Sequence, residues 1–265
     1  MSNLAGKNYV ADQYQTATNL NARISLHRRF STNRYGWFRW LFDRLRFPPQ
    51  ARILELGCGP GDLWRKNLDR IPAGWKITLT DQSAGMVEKA RQNLVDSPHP
   101  FRFEIVDAQA IPYPRDRFDG VLANHMLYHV PDRVRALSEI RRVLKPGGTF
   151  YASTIGERHL WEIRDLVAEF DADLGAWGER PDHGFTLENG GAQIADVFAE
   201  VMLHRYDDDL VVTDPDALVA YILSGAMSPP DDRRRDFVRF VHGEFHKRDE
   251  TFFITKDSGL FEARG

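Results

Sequence analysis

The sequence predicts an α/β fold, a doubly wound and mostly parallel sheet. Three observations predict it. First, the apolar run Ile53-Leu54-Glu55-Leu56 enters Gly57-Cys58-Gly59-Pro60-Gly61-Asp62 and then the helical pattern Leu63–Leu68. A buried strand, a glycine turn and a helix form the nucleotide-binding opening of such folds. Second, apolar segments at Trp75–Thr80, Phe101–Val106, Arg117–Ala123 and Thr149–Ser153 alternate with helical stretches. Helical crossovers between strands are right-handed and give a parallel sheet. Third, the chain ends with Thr251–Lys256 and Leu260–Ala263 on either side of Asp257-Ser258-Gly259, a hairpin signal.

The 265 residues suffice for one large α/β domain with insertions or for two small ones. A net charge of -3 gives no general electrostatic case for nucleic acid or an anionic membrane. The single cysteine, Cys58, leaves no disulfide within the chain, which fits a reducing, cytoplasmic setting. Met1–Asn8 lacks a secretory apolar region, and no apolar run approaches the ~20 residues of a membrane span.

Residues 1–50 read as a helical N-terminal lid or extension. From Tyr9 to Leu45, apolar residues such as Leu26, Phe30, Trp37, Trp40 and Leu41 recur at helical spacing, and Phe47-Pro48-Pro49 breaks the pattern. Residues 51–265 read as the main domain. Its glycine turn departs from the dinucleotide pattern, because the sixth position from Gly57 is Asp62, and a carboxylate there repels a pyrophosphate. That weakens a NAD-type oxidoreductase and favours a ligand without phosphate. Asp81 ends the second strand 20 residues after Gly61, near the spacing of an acid that takes ribose hydroxyls; it could also cap the next helix. Asp107 ends the third strand, at the same crevice. Pro131 and Asp132 open a helix to Leu144, closed by Lys145-Pro146-Gly147-Gly148. Beyond Ser153 the pattern gives helices at Glu157–Leu174, Leu187–Phe198, Asp214–Leu223 and Asp231–Lys247, with a strand at Val201–Tyr206. The stretches 156–191 and 214–249 read as helical insertions.

The turn Glu55-x-Gly57-x-Gly59-x-Gly61 resembles the first motif of class I S-adenosylmethionine-dependent methyltransferases. Tyr128-His129-Val130-Pro131-Asp132 and Arg142-Val143-Leu144-Lys145-Pro146-Gly147-Gly148 resemble the corresponding segments of the small-molecule, type 11-like branch. With Asp81 and Asp107 they stand in family order between Arg52 and Ser153. The resemblance implies a seven-stranded Rossmann-like sheet with an antiparallel C-terminal edge, and S-adenosylmethionine as cofactor. It implies Glu55, Gly57, Gly59 and Gly61 at the donor, Asp81 on the ribose, and Asp107 and the Ala108 N–H at the adenine; Met86, one turn into the next helix, reads as packing on the adenine face or as core filler. Asn124 at the fourth strand end and Arg23, a candidate for the donor carboxylate, complete the set. Tyr128 and His129 follow the fourth strand, where the methyl group should lie; His129 is the better candidate base and Tyr128 a candidate to orient the acceptor. No metal is expected. The acceptor is a small molecule offering an O, N or C nucleophile, and Trp161, Phe170, Trp177 and Phe185 suggest an apolar or aromatic one. Asn124-His125-Met126-Leu127 stands where nucleobase amino-methylating enzymes carry an Asn-Pro-Pro-Tyr-like motif, which argues against nucleic acid. A catalytically silent protein that keeps the donor pocket is the other alternative. The sequence carries no signal of oligomeric state.

Other patterns read as structure. In His242-Gly243-Glu244-Phe245-His246 the glutamate is one residue out of place for a zinc hydrolase, so the histidines are a surface pair. Asp207-Asp208-Asp209 reads as a solvated turn. Arg233-Arg234-Arg235 is flanked by Asp231, Asp232 and Asp236, which excludes a nucleic-acid patch.

Overall fold

Ile53 and Leu54 are both 0% exposed although they are adjacent, so β1 (Arg52–Leu56) is covered on both faces. That is the condition of a central parallel strand. The computed structural model describes residues 17–176 and 184–265. Around β1 the chain lays down β2 (Lys76–Asp81), β3 (Arg102–Ile105), β4 (Phe118–Asn124), β5 (Leu144–Ile155), β6 (Glu200–Tyr206), β7 (Asp209–Val212), β8 (Phe252–Thr255) and β9 (Ser258–Arg264). Seven of these form one sheet in the order β3-β2-β1-β4-β5-β9-β6. The first five run parallel, and β9 is antiparallel to both of its neighbours. The expected mostly parallel, seven-stranded sheet with an antiparallel edge is therefore the sheet observed.

Contacts divide the chain into two units. One comprises Tyr35–Glu157, Asp182–Tyr206 and Ser258–Gly265 and holds the whole seven-stranded sheet. Strand alternation sends Leu54, Val121 and Phe150 into one core and Ile53, Leu122 and Tyr151 into another, on opposite faces. Helices Ala84–Asn93 and Arg133–Val143 make crossovers of this sheet. Asp132 caps the second, its side chain accepting from the Arg135 N–H at 3.0 Å.

The other unit comprises Met1–Arg34, Arg158–Pro181 and Asp207–Asp257. Its described elements are helices Ala17–Phe30, Trp161–Phe170, Ala172–Ala176, Pro215–Leu223 and Arg234–His246, with the β7–β8 ladder. Their apolar faces form a separate core containing Leu26, Ile163, Leu210, Phe237 and Ile254. Among the described residues no helix is long and apolar enough to cross a membrane.

Four expectations change. The stretch 1–50 is not one block, since the division between units falls at Arg34. The helix after the glycine turn is only Asp62–Arg65. Residues 252–264 are not a hairpin: β8 pairs with β7 in one unit, and β9 enters the large sheet between β5 and β6 in the other. The partner β7 was hidden behind a triplet of acids read as a solvated turn. Asp208 is instead 3% exposed. It pairs with Lys256 and accepts from the Ser31 hydroxyl at 2.6 Å and the Asn33 N–H at 3.0 Å. Burial raises its pKa, but Lys256, Ser31 and Asn33 outweigh burial and leave it below the usual carboxylate range.

Candidate functional site

The order of the sheet reverses at β1, with β2 on one side and β4 on the other, which makes a crevice at the carboxyl ends of these strands. The glycine turn lies there. Gly57, Gly59 and Gly61 have φ of 65°, 53° and 77°, the left-handed region that glycine enters without a Cβ penalty. At Gly57 a Cβ would stand 2.7 Å from the Met126 Cβ, so the segment after β4 packs directly on the turn. At Gly59 a Cβ would meet nothing within 4 Å, so this backbone faces open space. The turn is tied to β2 by the Cys58 N–H on the Thr80 carbonyl at 2.8 Å, and to helix Ala84–Asn93 by the Asn93 side chain on the Pro60 carbonyl at 2.9 Å.

Four acids stand at or near the turn. Asp81 accepts from the Gly59 N–H at 3.0 Å and from the Ser83 N–H at 2.9 Å. It thus fixes the turn and holds Ser83, which caps the next helix, yet each oxygen keeps further acceptor capacity. Asp107 accepts from the Gln109 N–H at 2.9 Å and from its side-chain amide. Asp62 pairs with Arg65 at 2.8 Å. Glu55 is 1% exposed and accepts from the Trp64 indole at 2.5 Å. Burial, opposed by the Trp64 bond and aided by the Asp81 charge, raises its pKa to about 8. The Trp64 bond ties β1 to helix Asp62–Arg65. Burial first, then the Glu55 and Asp81 charges, raise the pKa of the Cys58 thiol.

Asn124, His125 and Met126 leave β4 at the other wall. The Ser153 hydroxyl donates to Asn124 Oδ1, and the His125 N–H reaches Ser153 Oγ at 3.0 Å and the Ser153 carbonyl at 3.2 Å. Tyr128 and His129 follow in a 3₁₀ turn with their rings 4.5 Å apart, edge to face. Tyr128 packs on the core and His129 is exposed. Met86 lies in the first turn of helix Ala84–Asn93, half-buried, and Ala108 is buried next to Asp107. Arg23 belongs to helix Ala17–Phe30; its side chain and Trp177 lie outside the described residues. Of the other aromatics expected at an acceptor, Phe185 is a core residue packed on Phe261, and Phe170 is partly buried against Phe237. Sequence reasoning missed an aromatic cluster of Trp37, Trp40, His125 and Tyr206. Its members lie far apart in the chain, and helical periodicity explained the two tryptophans.

Comparison with known proteins comes to the same stretch. Residues 54–152 match a family model described as a methyltransferase domain. The demethylmenaquinone methyltransferase of Symbiobacterium thermophilum is 35% identical over 116 residues, 43% of this chain and 46% of that protein. Malonyl-[acyl-carrier protein] O-methyltransferase 1 of Ilyobacter polytropus is 34% identical over 125 residues, 47% of this chain and 46% of that protein. The chain thus spans under half the length of these curated relatives. Among solved structures the [4+2]-cyclase SpnF superposes with a TM-score of 0.58 at 20% identity, over 98% of this chain and 95% of that one, a likeness of fold. Residues 54–152, which resemble a methyltransferase domain, include most of β1 and all of β2 and β4, the central strands of the sheet.

Proposed function

We propose that the protein binds S-adenosylmethionine at the carboxyl ends of β1, β2 and β4 and transfers its methyl group to a small apolar or aromatic molecule. The observation that carries this reading is the turn itself: three left-handed glycines, an open face at Gly59, and the Asp81 carboxylate on its N–H. When bound, the cofactor supplies an electrophilic methyl group on a cationic sulfonium. Asp62 disfavours a pyrophosphate, and Asp81 retains acceptor capacity for ribose hydroxyls. Asp107, Ala108 and Met86 supply a carboxylate, an N–H and an apolar side chain for the adenine. Asn124 and the backbone after β4 would supply polar groups for the amino acid end.

Methyl transfer from a sulfonium is inherently favourable, so the residues need chiefly to position the partners and exclude water. A base is required only for an acceptor that arrives protonated. His129 is the candidate and Tyr128 its neighbour. The two relatives carry different acceptors in their names, a demethylmenaquinone and a malonyl-carrier protein, so atom and acceptor follow from neither. A screen of small phenols, hydroxyquinones, amines and carboxylic acids with methyl-labelled cofactor tests the reading, with product mass as readout. A mass gain of one methyl on one compound class is expected. Tight cofactor binding with no transfer to any class would favour the silent donor-binding alternative.

A further inference from the structure

Trp37 opens the helix Trp37–Phe42, and its indole is held on three sides. It stacks on Trp40 with centroids 5.1 Å apart, meets Tyr206 at 5.3 Å and 82°, and lies 5.1 Å from the His125 ring. Packing of this kind fixes the indole plane and with it the direction of the Nε1–H bond. That N–H is buried and has no hydrogen-bond partner among the described residues. Buried indoles ordinarily find one. Here Trp64 donates to Glu55, Trp75 to the Pro48 carbonyl and Trp161 to Glu162.

The exception stands beside the glycine turn. His125 is the first residue after β4, and the next residue, Met126, is the one packed on Gly57. His125 also has a φ of 51°, left-handed for a residue with a Cβ, and Ser153 holds its N–H in that conformation. Such strain persists where the surroundings over-determine it, and it concentrates at ligand sites.

We propose that Trp37 Nε1–H reads a bound ligand, donating to an anionic or phenolic oxygen held at the ends of β1 and β4. This rests on the donor-binding reading above. An indole N–H only donates, so it selects an oxygen acceptor and rejects an ammonium at the same place. The surrounding rings exclude water and strengthen the bond. The oxygen has two possible sources, the carboxylate of the methyl donor or an oxygen on the acceptor.

Labelling the tryptophans of the full chain with ¹⁵N gives six indole resonances to follow. Loss of one in Trp37→Phe identifies Trp37, with Trp37→Tyr in reserve should the first variant not fold. S-adenosylhomocysteine carries the carboxylate, and 5′-methylthioadenosine lacks it. If the carboxylate is read, S-adenosylhomocysteine moves the Trp37 resonance, methylthioadenosine does not, and Trp37→Phe weakens only the former, on the order of tenfold. If the acceptor is read, 1-naphthol added to the S-adenosylhomocysteine complex moves the resonance, and naphthalene does not. Either result supports the proposal. A Trp37 resonance unmoved by S-adenosylhomocysteine and by 1-naphthol overturns it. Wild-type protein that fails to bind S-adenosylhomocysteine would remove the donor-binding reading itself, a result seen without reference to Trp37.

Discussion

Glu55 shows what a single residue contributes at this site. Its carboxyl is buried against Trp64, and its pKa of about 8 means that the fold prefers it neutral. The unfolded chain ionises it near the ordinary glutamate value. Between that value and about 8 the unfolded state therefore binds fewer protons, so this group subtracts stability as pH rises and stops doing so above about 8. Glu55→Gln keeps an acceptor for Trp64 and removes the titration. Its melting temperature should match wild type near pH 5, exceed it increasingly up to about pH 8 and keep a constant margin above that; parallel profiles would show that Glu55 is not buried neutral. Asp81 and Asp107 differ in another way. Asp81→Ala removes an anchor of the Gly59 N–H as well as the proposed ribose acceptor, at roughly 1.5–3 kcal/mol for each charged bond. Asp107→Asn keeps an oxygen. Calorimetry with S-adenosylhomocysteine should show the larger loss in Asp81→Ala, and unchanged affinity in both would make these acids structural alone. Once an acceptor is known, His129→Ala should lower kcat by ~100-fold with donor affinity intact if the histidine is the base.

At the scale of elements, two glycines of one turn separate packing from binding. Ala at Gly57 places a Cβ against Met126 and forces a left-handed alanine, costing about 2–4 kcal/mol. Ala at Gly59 meets no protein atom and costs about 1–2 kcal/mol for its φ alone, but its methyl projects into the space offered to the donor. Gly57→Ala should thus fail mainly in a thermal melt, Gly59→Ala mainly in donor titration; the reverse assignment would place the ligand elsewhere. This turn was legible in the sequence because strand, glycine spacing and strand-end acids are local patterns. β7 and the partners of β8 were not. Asp208 looks solvated until Lys256, 48 residues later, is brought against it, and only that pairing frees β8 from the apparent hairpin. For the same reason Trp37 read as helix core: the His125 and Tyr206 rings that turn it into a site feature come from the end of β4 and from β6.

For the molecule as a whole, each unit has its own core, and the chain passes back and forth between them. The seven-stranded unit contains the glycine turn, the strand-end acids and the aromatic cluster, so the turn, Asp81, Asp107, Ala108, Met86 and Asn124 belong to one folded body. The buried Asp208–Lys256 pair belongs to the other. Lys256→Ala leaves its carboxylate buried without a counter-charge and should cost about 3–5 kcal/mol in denaturant unfolding. A loss below about 1 kcal/mol would mean that the bonds from Ser31 and Asn33 suffice to hold it. The central claim is the identity of the ligand at the glycine turn. Calorimetry of the full chain with S-adenosylmethionine and with NAD tests it most directly. The acidic turn predicts one-site binding of S-adenosylmethionine in the micromolar range and no comparable heat with NAD. Tight NAD binding with none for S-adenosylmethionine would contradict it.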